Sequence, residues 1–388
     1  MSKNIYISFL LDITVKICLS VTNDIVTDQR VNRIAASLLK LNTSVTIVGR
    51  IRETSLGLQP SEIKFKRFKL LFNKGPFFYI CYNIRLFFYL YFHRFDVLVA
   101  NDLDTLPANY LISRLKKIKL VYDSHEYFTE VPELIGRKRV KRIWELIEGL
   151  ILPHIIYSYT VCGSLADIYN SMYHIDMQVI RNLPVKKGQP VVHKELRDGD
   201  EHIILYQGSV NKARGLEMVI QAMRHLNGVK FVIIGNGDIK NNLEKMVAGY
   251  GLTGKVVFLG RVIPEELLSY TVQADIGISL EENLGLNYYY ALPNKLFDYI
   301  QANVPVMVSD FPEMGGLVAR YNIGVATAER NPLKIADLIM DILKDKDRIS
   351  LWKKNLIKAA QEFTWNSEEL KLLDFYRKVI SQPQARDV

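Results

Sequence analysis

"IILYQGSVNKARGLEMVI", residues 203–220, sets the fold. Ile203–Tyr206 is a short apolar run of the kind found in strands buried on both faces. Gly208 and Gly215 bracket a polar turn, and a helical pattern starts directly after Gly215. A strand, a glycine-bounded turn and a helix together make the repeating unit of an open parallel sheet.

The unit recurs along the chain. "VKFVIIGNGD" (229–238), "KVVFLGR" (255–261), "ADIGISL" (274–280) and "VPVMVSD" (304–310) follow it. Upstream stand "KICLSVTND" (16–24), "SVTIVGR" (44–50), "FDVLVAND" (95–102), "IKLVYDSHE" (118–126) and "YSYTVCGS" (157–164), with helical stretches between them. The predicted class is α/β, with two consecutive Rossmann-like domains built on parallel sheets. The first is expected over 1–181 and the second over 203–362. Residues 182–202, rich in proline, glycine and charge, read as the linker. Residues 363–388 hold a terminal amphipathic helix, "WNSEELKLLDFYRKVI" (365–380), capped by Asn366 or Ser367 and crossing back to the first domain. Ligands of such sheets bind at the carboxyl ends of the strands, which makes an interdomain cleft the expected site.

Composition narrows the class. Of 388 residues 49% are hydrophobic, ample for two cores. Cys18, Cys81 and Cys162 lie far apart without CxxC spacing, so neither a disulfide framework nor a zinc site is expected, and a cytoplasmic location fits. "MSKNIYISFLLDITVKI" carries Lys3, Asp12 and Lys16, and matches neither a cleaved signal peptide nor a membrane span. The net charge is +9; residues 1–200 hold 28 Lys+Arg against 19 Asp+Glu, while residues 201–388 hold 22 of each. The excess lies in the N-terminal half, which suits an anionic partner. No nucleic-acid motif accompanies it, so nucleic acid is set aside.

Two further stretches carry chemistry. In residues 61–94, Lys64, Lys66, Arg67, Lys69 and Lys74 precede an aromatic-rich run at 77–92. This reads either as a buried helix after a basic loop, or as a surface at 64–92 resting on anionic lipid from the inner face of the membrane. In "ALPNKLFDYIQ", Pro293 suits a first helical position. Leu296, Phe297 and Ile300 fall on one face, and Asn294 and Asp298 on another. The free N–H groups at this start suit a diphosphate, and Asp298 suits two vicinal ribose hydroxyls. The plain alternative is a local Lys295–Asp298 pair on a solvated face.

"YQGSVNKARGLEMVIQAM", "FVIIGNGD", "VVFLGRVIPEELLSYTVQADIGIS" and "LPNKLFDYIQANVPVMVSD", in that order, resemble the donor domain of family 4 glycosyltransferases (glycosyl transferases group 1). "TDQRVNRIAASLLKLNTSVTIVGR" and "VYDSHEYFTEVPEL" resemble the acceptor domain of the same family. The resemblance covers roughly residues 16 to 380. It implies the GT-B architecture, two facing Rossmann-like domains with a cleft between them. It also implies a retaining glycosyltransferase that uses a nucleotide-diphosphate sugar and no cofactor.

The resemblance assigns His125, Arg214 and Lys295 to catalysis. The donor side falls to Gly208, Ser209, Lys212, Gly235, Gly237, Arg261, Val262, Asn287, Tyr290, Asn294 and Asp298. The acceptor side, facing a glycan or lipid-linked acceptor, falls to Asp28, Arg30, Asp104 and Glu126. Departures from the family pattern are Ser209, where an arginine is usual, and Tyr290, where the first of two glutamates is usual. Lys212 can replace the first charge, and Glu281 and Glu282 lie upstream of the second. Asp102 and Asp104 make a DxD, read as acceptor-lining or loop-capping rather than metal-binding. Two other readings are a sugar-nucleotide epimerase on the same fold and a non-catalytic nucleotide-sugar-binding or scaffold protein.

Overall fold

A computed structural model describes residues 14–26, 28–53, 55–186, 188 and 195–382. The N-terminal stretch through residue 13 and residues 187 and 189–194 of the expected linker lie outside the described residues. The chain divides into two compact units. The first takes the described parts of Met1–His125, Leu146–Tyr159 and Lys371–Val388; the second takes Glu126–Glu145 and Thr160–Leu370.

The strands of the first sheet are β1 (Lys16–Asp24), β2 (Ser44–Ile51), β3 (Lys64–Lys69), β4 (Val97–Asn101), β5 (Lys119–Ser124), β6 (Tyr157–Thr160) and β7 (Met177–Val179). Their order is β3-β2-β1-β4-β5-β6-β7, and β1 pairs in parallel with both β2 and β4. The second sheet holds β8 (His202–Gln207), β9 (Val229–Ile234), β10 (Val256–Gly260), β11 (Ile276–Ser279), β12 (Val306–Ser309) and β13 (Gly324–Thr327). It runs β10-β9-β8-β11-β12-β13, with every pairing parallel. Strand order therefore reverses between β1 and β4 and again between β8 and β11. A crevice opens at such a reversal, at the carboxyl ends of the strands.

The second sheet is covered on both faces. Ile204, Tyr206, Phe231 and Ile233 join one apolar cluster, while Ile203, Leu205, Val232 and Ile234 join another. The two-residue alternation of a strand sends neighbours to opposite faces, so both faces need helices. Leu183 and Leu196, from the two ends of the expected linker, are buried in the second of these clusters.

Three strands escape the sequence reading. β3 was expected as a basic loop, but it is an edge strand that buries Phe68 and exposes Lys64, Lys66 and Lys69. Charged side chains on an edge strand block pairing with other chains. β7 has only three residues, and β13 is half-buried throughout. The helix Pro76–Phe92 buries Phe78, Tyr82, Leu86 and Leu90. Its opposite side exposes Phe77, Ile80, Ile84, Phe88 and Phe92, so the expectation of a simply buried helix is only half met. Among the described residues no helix is long and apolar enough to cross a membrane.

Two helix starts shift. The helix Asn294–Gln301 begins one residue after Pro293, which is the N-cap with extended backbone. The last helix is Trp365–Ser381, and Thr364 Oγ1 accepts from Ser367 N at 3.3 Å. Thr364 therefore caps it, in place of the expected Asn366 or Ser367.

Candidate functional site

At the reversal point of the second sheet, β8 ends at Gln207 and the chain turns through Gly208–Gly215. Backbone proximity dictates the glycines. A Cβ on Gly235 would lie 1.8 Å from the Gly208 carbonyl oxygen, and one on Gly215 would lie 2.0 Å from the Leu280 carbonyl oxygen. The second approach brings the end of β11 against the turn, and so sets Glu281 beside Arg214.

Glu281 is the centre of the site. It is fully buried. Lys295 Nζ lies 2.8 Å from its Oε1, and Arg214 Nη1 lies 3.7 Å from the same atom. Ser279 Oγ donates to Oε2 at 2.8 Å. Burial pushes this carboxyl up, but Lys295 and Arg214 outweigh burial and hold it below its ordinary value. The cations also rest on rings: Lys295 Nζ is 4.1 Å from the Tyr206 ring centre, and Arg214 Cζ is 4.7 Å from that of Tyr288. Such contacts favour a cation taken out of water. Two fixed cations around one carboxylate leave a net positive charge beside Gly208. A Cβ on Gly208 would meet Lys295 Cε at 3.5 Å, so the turn's backbone is immediately next to that amine.

Asp298 does not pair with Lys295. Lys295 is buried on Glu281, and Gln207 Nε2 donates to Asp298 Oδ2 at 2.9 Å. Thr271 Oγ1 fixes Gln207 from its other side, at 2.8 Å. The plain reading of a solvated Lys295–Asp298 pair is thus overturned, because each partner has a better-placed one. Asn294 is exposed on the same helix.

Other expected donor residues divide. Gly235 N donates to Gly260 O, which places Arg261 and Val262 one and two residues beyond that contact. Gly237 lies against Val210 and Asn211. Ser209 and Lys212 are exposed on the turn, and the Ser209 carbonyl accepts from Tyr206 OH at 2.6 Å. Asn287 Oδ1 accepts from Tyr127 N at 3.0 Å and its Nδ2 donates to Glu126 Oε2 at 3.2 Å, so one donor-side and one acceptor-side candidate meet directly. The Tyr290 carbonyl accepts from Cys162 Sγ. The carboxylate near the cations comes from Glu281 instead.

The first unit has its own charge cluster, with Arg30 and Asp123 buried and His125 and Asp102 partly exposed, at the carboxyl ends of β4 and β5. His125 Nε2 lies 3.1 Å from Asp123 Oδ2, and its Nδ1 lies 3.3 Å from Asp102 Oδ2. Arg30 Nη2 holds the other Asp123 oxygen at 2.8 Å. Burial opposes the imidazolium, yet Asp102 and Asp123 outweigh it and raise His125 to about 9. Burial also pushes Asp123 up, but Arg30 and His125 bring it down to about 2. Burial dominates at Asp102 and raises it. His125 is therefore a held cation rather than a free base.

The two carboxylates of the DxD diverge. Asp102 turns to His125, with φ of 63°, while Asp104 accepts from Thr22 Oγ1 at 2.5 Å. Asp28 caps the helix Gln29–Leu39 by accepting from Val31 N. Among the described residues no group of three or more His, Cys, Asp or Glu is arranged to hold a metal ion. The sequence reading missed Asp123, Gln207, Tyr288 and Arg330, whose Nη2 donates to the Glu281 carbonyl. Gln207 was signalled by ending β8 and Asp123 by standing one residue before the end of β5; Arg330 had no local signal.

Residues 190–363 match the family model described as glycosyl transferases group 1. The chain is 23% identical to a GDP-mannose-dependent alpha-(1-6)-phosphatidylinositol monomannoside mannosyltransferase of Mycobacterium tuberculosis, over 63% of this chain and 65% of that one. The matched stretches span between 45% and 72% of the length of the curated relatives. Among solved structures, sucrose-phosphate synthase from Thermosynechococcus elongatus superposes with a TM-score of 0.81 at 16% identity, covering 95% of this chain and 99% of its own. HepE from Anabaena in complex with UDP gives 0.72 at 13% identity, covering 94% and 100%. Its two parallel-sheet, Rossmann-like domains give this chain the GT-B fold, and residues 190–363 carry its similarity to the glycosyl transferases group 1 family.

Proposed function

We propose that the protein is a retaining glycosyltransferase that moves a sugar from a nucleotide-diphosphate donor to a glycan or lipid-linked acceptor. One observation carries this reading: Arg214 and Lys295 converge on buried Glu281 beside the Gly208 turn, at the reversal point of the second sheet. The leaving diphosphate meets the Arg214 fork, the Lys295 ammonium and the N–H groups at the start of the Asn294–Gln301 helix. These charges are fixed before the reaction, so they stabilise the leaving group without reorganising. Asp298, held by Gln207, takes the ribose hydroxyls. Glu281 is committed to its cations and unsuited to attack the sugar. This favours front-face attack by the acceptor, with the departing phosphate taking its proton.

His125 serves as a fixed hydrogen-bond donor. Its Nδ1 contact to Asp102 is the longer of its two, and is the one a sugar or acceptor hydroxyl replaces. Side-chain cations take the role of a metal, so turnover persists in excess chelator.

Arg214→Ala is expected to weaken nucleoside-diphosphate binding about 30- to 150-fold, the size of a lost charge-assisted hydrogen bond plus an unpaired phosphate. Calorimetry with UDP and GDP measures it, and unchanged affinity removes Arg214 from the site. Product analysis with a panel of nucleotide sugars completes the test. A modified sugar nucleotide released without acceptor supports an epimerase instead, and donor bound without turnover supports a scaffold.

The acceptor end of the reading is peripheral, at the inner surface of a membrane. Lys64, Lys66, Arg67 and Lys69 run along β3, next in sequence to exposed Leu71, Phe72 and Phe77. Each basic residue near an anionic surface contributes about 1 kcal/mol. The chain is expected to sediment with anionic vesicles at low salt and to be released as salt rises. Changing these four residues to Gln should abolish sedimentation and spare nucleotide binding. Indifference of the wild-type chain to anionic vesicles points to a soluble acceptor.

A further inference from the structure

The first sheet carries another polar site, at the strand ends opposite to the Arg30–Asp123–His125 cluster. Lys16, Ser44 and Lys64 are the first residues of β1, β2 and β3. Lys16 pairs in register with Ser44, and Lys64 with Thr46. Ser44 and Thr46 are two residues apart on one strand, and paired residues of neighbouring strands share a face. All four side chains therefore stand on the same face of the sheet. Phe68, four residues after Lys64, is on that face too, and its ring centre lies 5.8 Å from that of Tyr82 and 6.0 Å from that of Tyr89. The helix Pro76–Phe92 thus covers this face, and its last turn lies toward the amino ends of the strands. Where the helix stops, a cavity of about 260 Å³ remains over the first residues of β1, β2 and β3. Tyr89, His93, Arg94 and Phe95 close it on the helix side.

Charge identifies the ligand. Lys16, Lys64 and Arg94 bring three cations to this cavity, and among the described residues none of them forms an ion pair. Asp96, close by in sequence, accepts from the Lys16 backbone N–H at 2.7 Å. The negative end of the helix is met by a different cation: Lys116 Nζ donates to the Leu90 and His93 carbonyls, each at 2.9 Å. His93 stacks on Tyr89 with ring centres 4.1 Å apart, and its Nδ1 lies 2.7 Å from the Tyr89 carbonyl oxygen, which fixes the imidazole at the wall. Ser44 and Thr46 add two hydroxyl groups on the strand between the two lysines. Ammonium and guanidinium groups converging with hydroxyls on a small space suit a compact, doubly charged oxyanion.

We propose that this cavity binds a phosphate dianion, free or as the monoester of a small molecule, through Lys16, Lys64 and Arg94 with Ser44 and Thr46. The site stands whether or not the chain transfers sugar. Lys64 also belongs to the basic run of β3, so the test changes Lys16 and Arg94 instead.

Inorganic phosphate, glucose 6-phosphate and glucose are titrated by calorimetry into three proteins: the wild-type chain, the double variant Lys16→Gln, Arg94→Gln, and Arg214→Ala. At least one phosphate probe should bind the wild-type chain, and glucose should not. Affinity for that probe should fall about tenfold or more in the double variant and stay within about twofold of wild type in Arg214→Ala. Equal affinity for the two phosphate probes identifies free phosphate as the ligand, and a tighter ester identifies a phosphorylated molecule. Both changed residues are exposed, and an unchanged thermal unfolding midpoint without ligand checks that the variant folds. On the wild-type chain, the bound probe should also slow amine labelling of Lys16 and Lys64, read by mass spectrometry, and leave exposed Lys354 unchanged.

No binding of either phosphate probe, or equal affinity for the double variant, overturns the inference. A loss confined to Arg214→Ala overturns it and assigns the anion to the second sheet. Binding of glucose as tight as that of its phosphate overturns the role of the cations.

Discussion

Lys295→Met is expected to lower folding stability by about 3 kcal/mol, at the low end of the cost of stranding one member of a buried ion pair. Glu281 is 1% exposed in its side chain and Lys295 8%, so water cannot replace the lost partner. Arg214 at 3.7 Å and Ser279 Oγ at 2.8 Å soften the loss, which keeps the figure at the low end. The double variant Lys295→Met, Glu281→Leu should regain most of that stability, since well-packed apolar groups often replace a buried pair at little cost. It should still bind a nucleoside diphosphate at least about tenfold more weakly than the wild-type chain. Chemical denaturation of the three proteins checks this. A single variant as stable as wild type would show that the Lys295–Glu281 contact is not held as described.

The second large effect is a loss of stability on the alkaline side. His125 at about 9 in the folded chain stands above its ordinary 6.5. Its contribution is therefore complete below about pH 6.5 and is lost as pH rises through 9. A rise of that size is worth about 3 kcal/mol, at 1.36 kcal/mol for each pH unit. Asp123 at about 2 stands below its ordinary 3.8, so its contribution is present above pH 3.8 and is lost as pH falls through 2. Asp102, pushed the other way by burial, offsets part of that acid loss. The alkaline limb is thus the diagnostic one. Unfolding free energies from pH 6 to 9.5 should fall for the wild-type chain and stay nearly level for His125→Gln. Parallel curves for the two proteins would mean that His125 is not held as a cation between Asp102 and Asp123.

The strands were legible because their chemistry is local. β1 matches "KICLSVTND" residue for residue, since a run buried on both faces needs no outside information. β3 was not legible: in "KFKRFK" the charges of an exposed edge look like those of a loop, and only pairing with β2 gives the run its role. Part of the site was legible through residue type. Arg214 and Lys295 stand out beside glycines and a helix start. Their common partner was not, because Glu281 reaches them only when Gly215 lets the turn close on Leu280. The Arg30–Asp123 pair joins residues 93 apart, and no spacing rule links them. The carboxylate beside the cations arrives from the end of β11 and not from position 290, which holds a tyrosine.

The claim that the Arg214–Glu281–Lys295 cluster receives a diphosphate has one direct test. UDP and GDP are titrated by calorimetry into the wild-type chain and into the stability-matched Lys295→Met, Glu281→Leu variant. At least one of the two nucleotides should bind the wild-type chain, and its affinity for the variant should fall by tenfold or more, the scale of a lost charge-assisted contact of about 1.5–3 kcal/mol. Equal affinity for both proteins, or no binding of either nucleotide to the wild-type chain, would contradict the account.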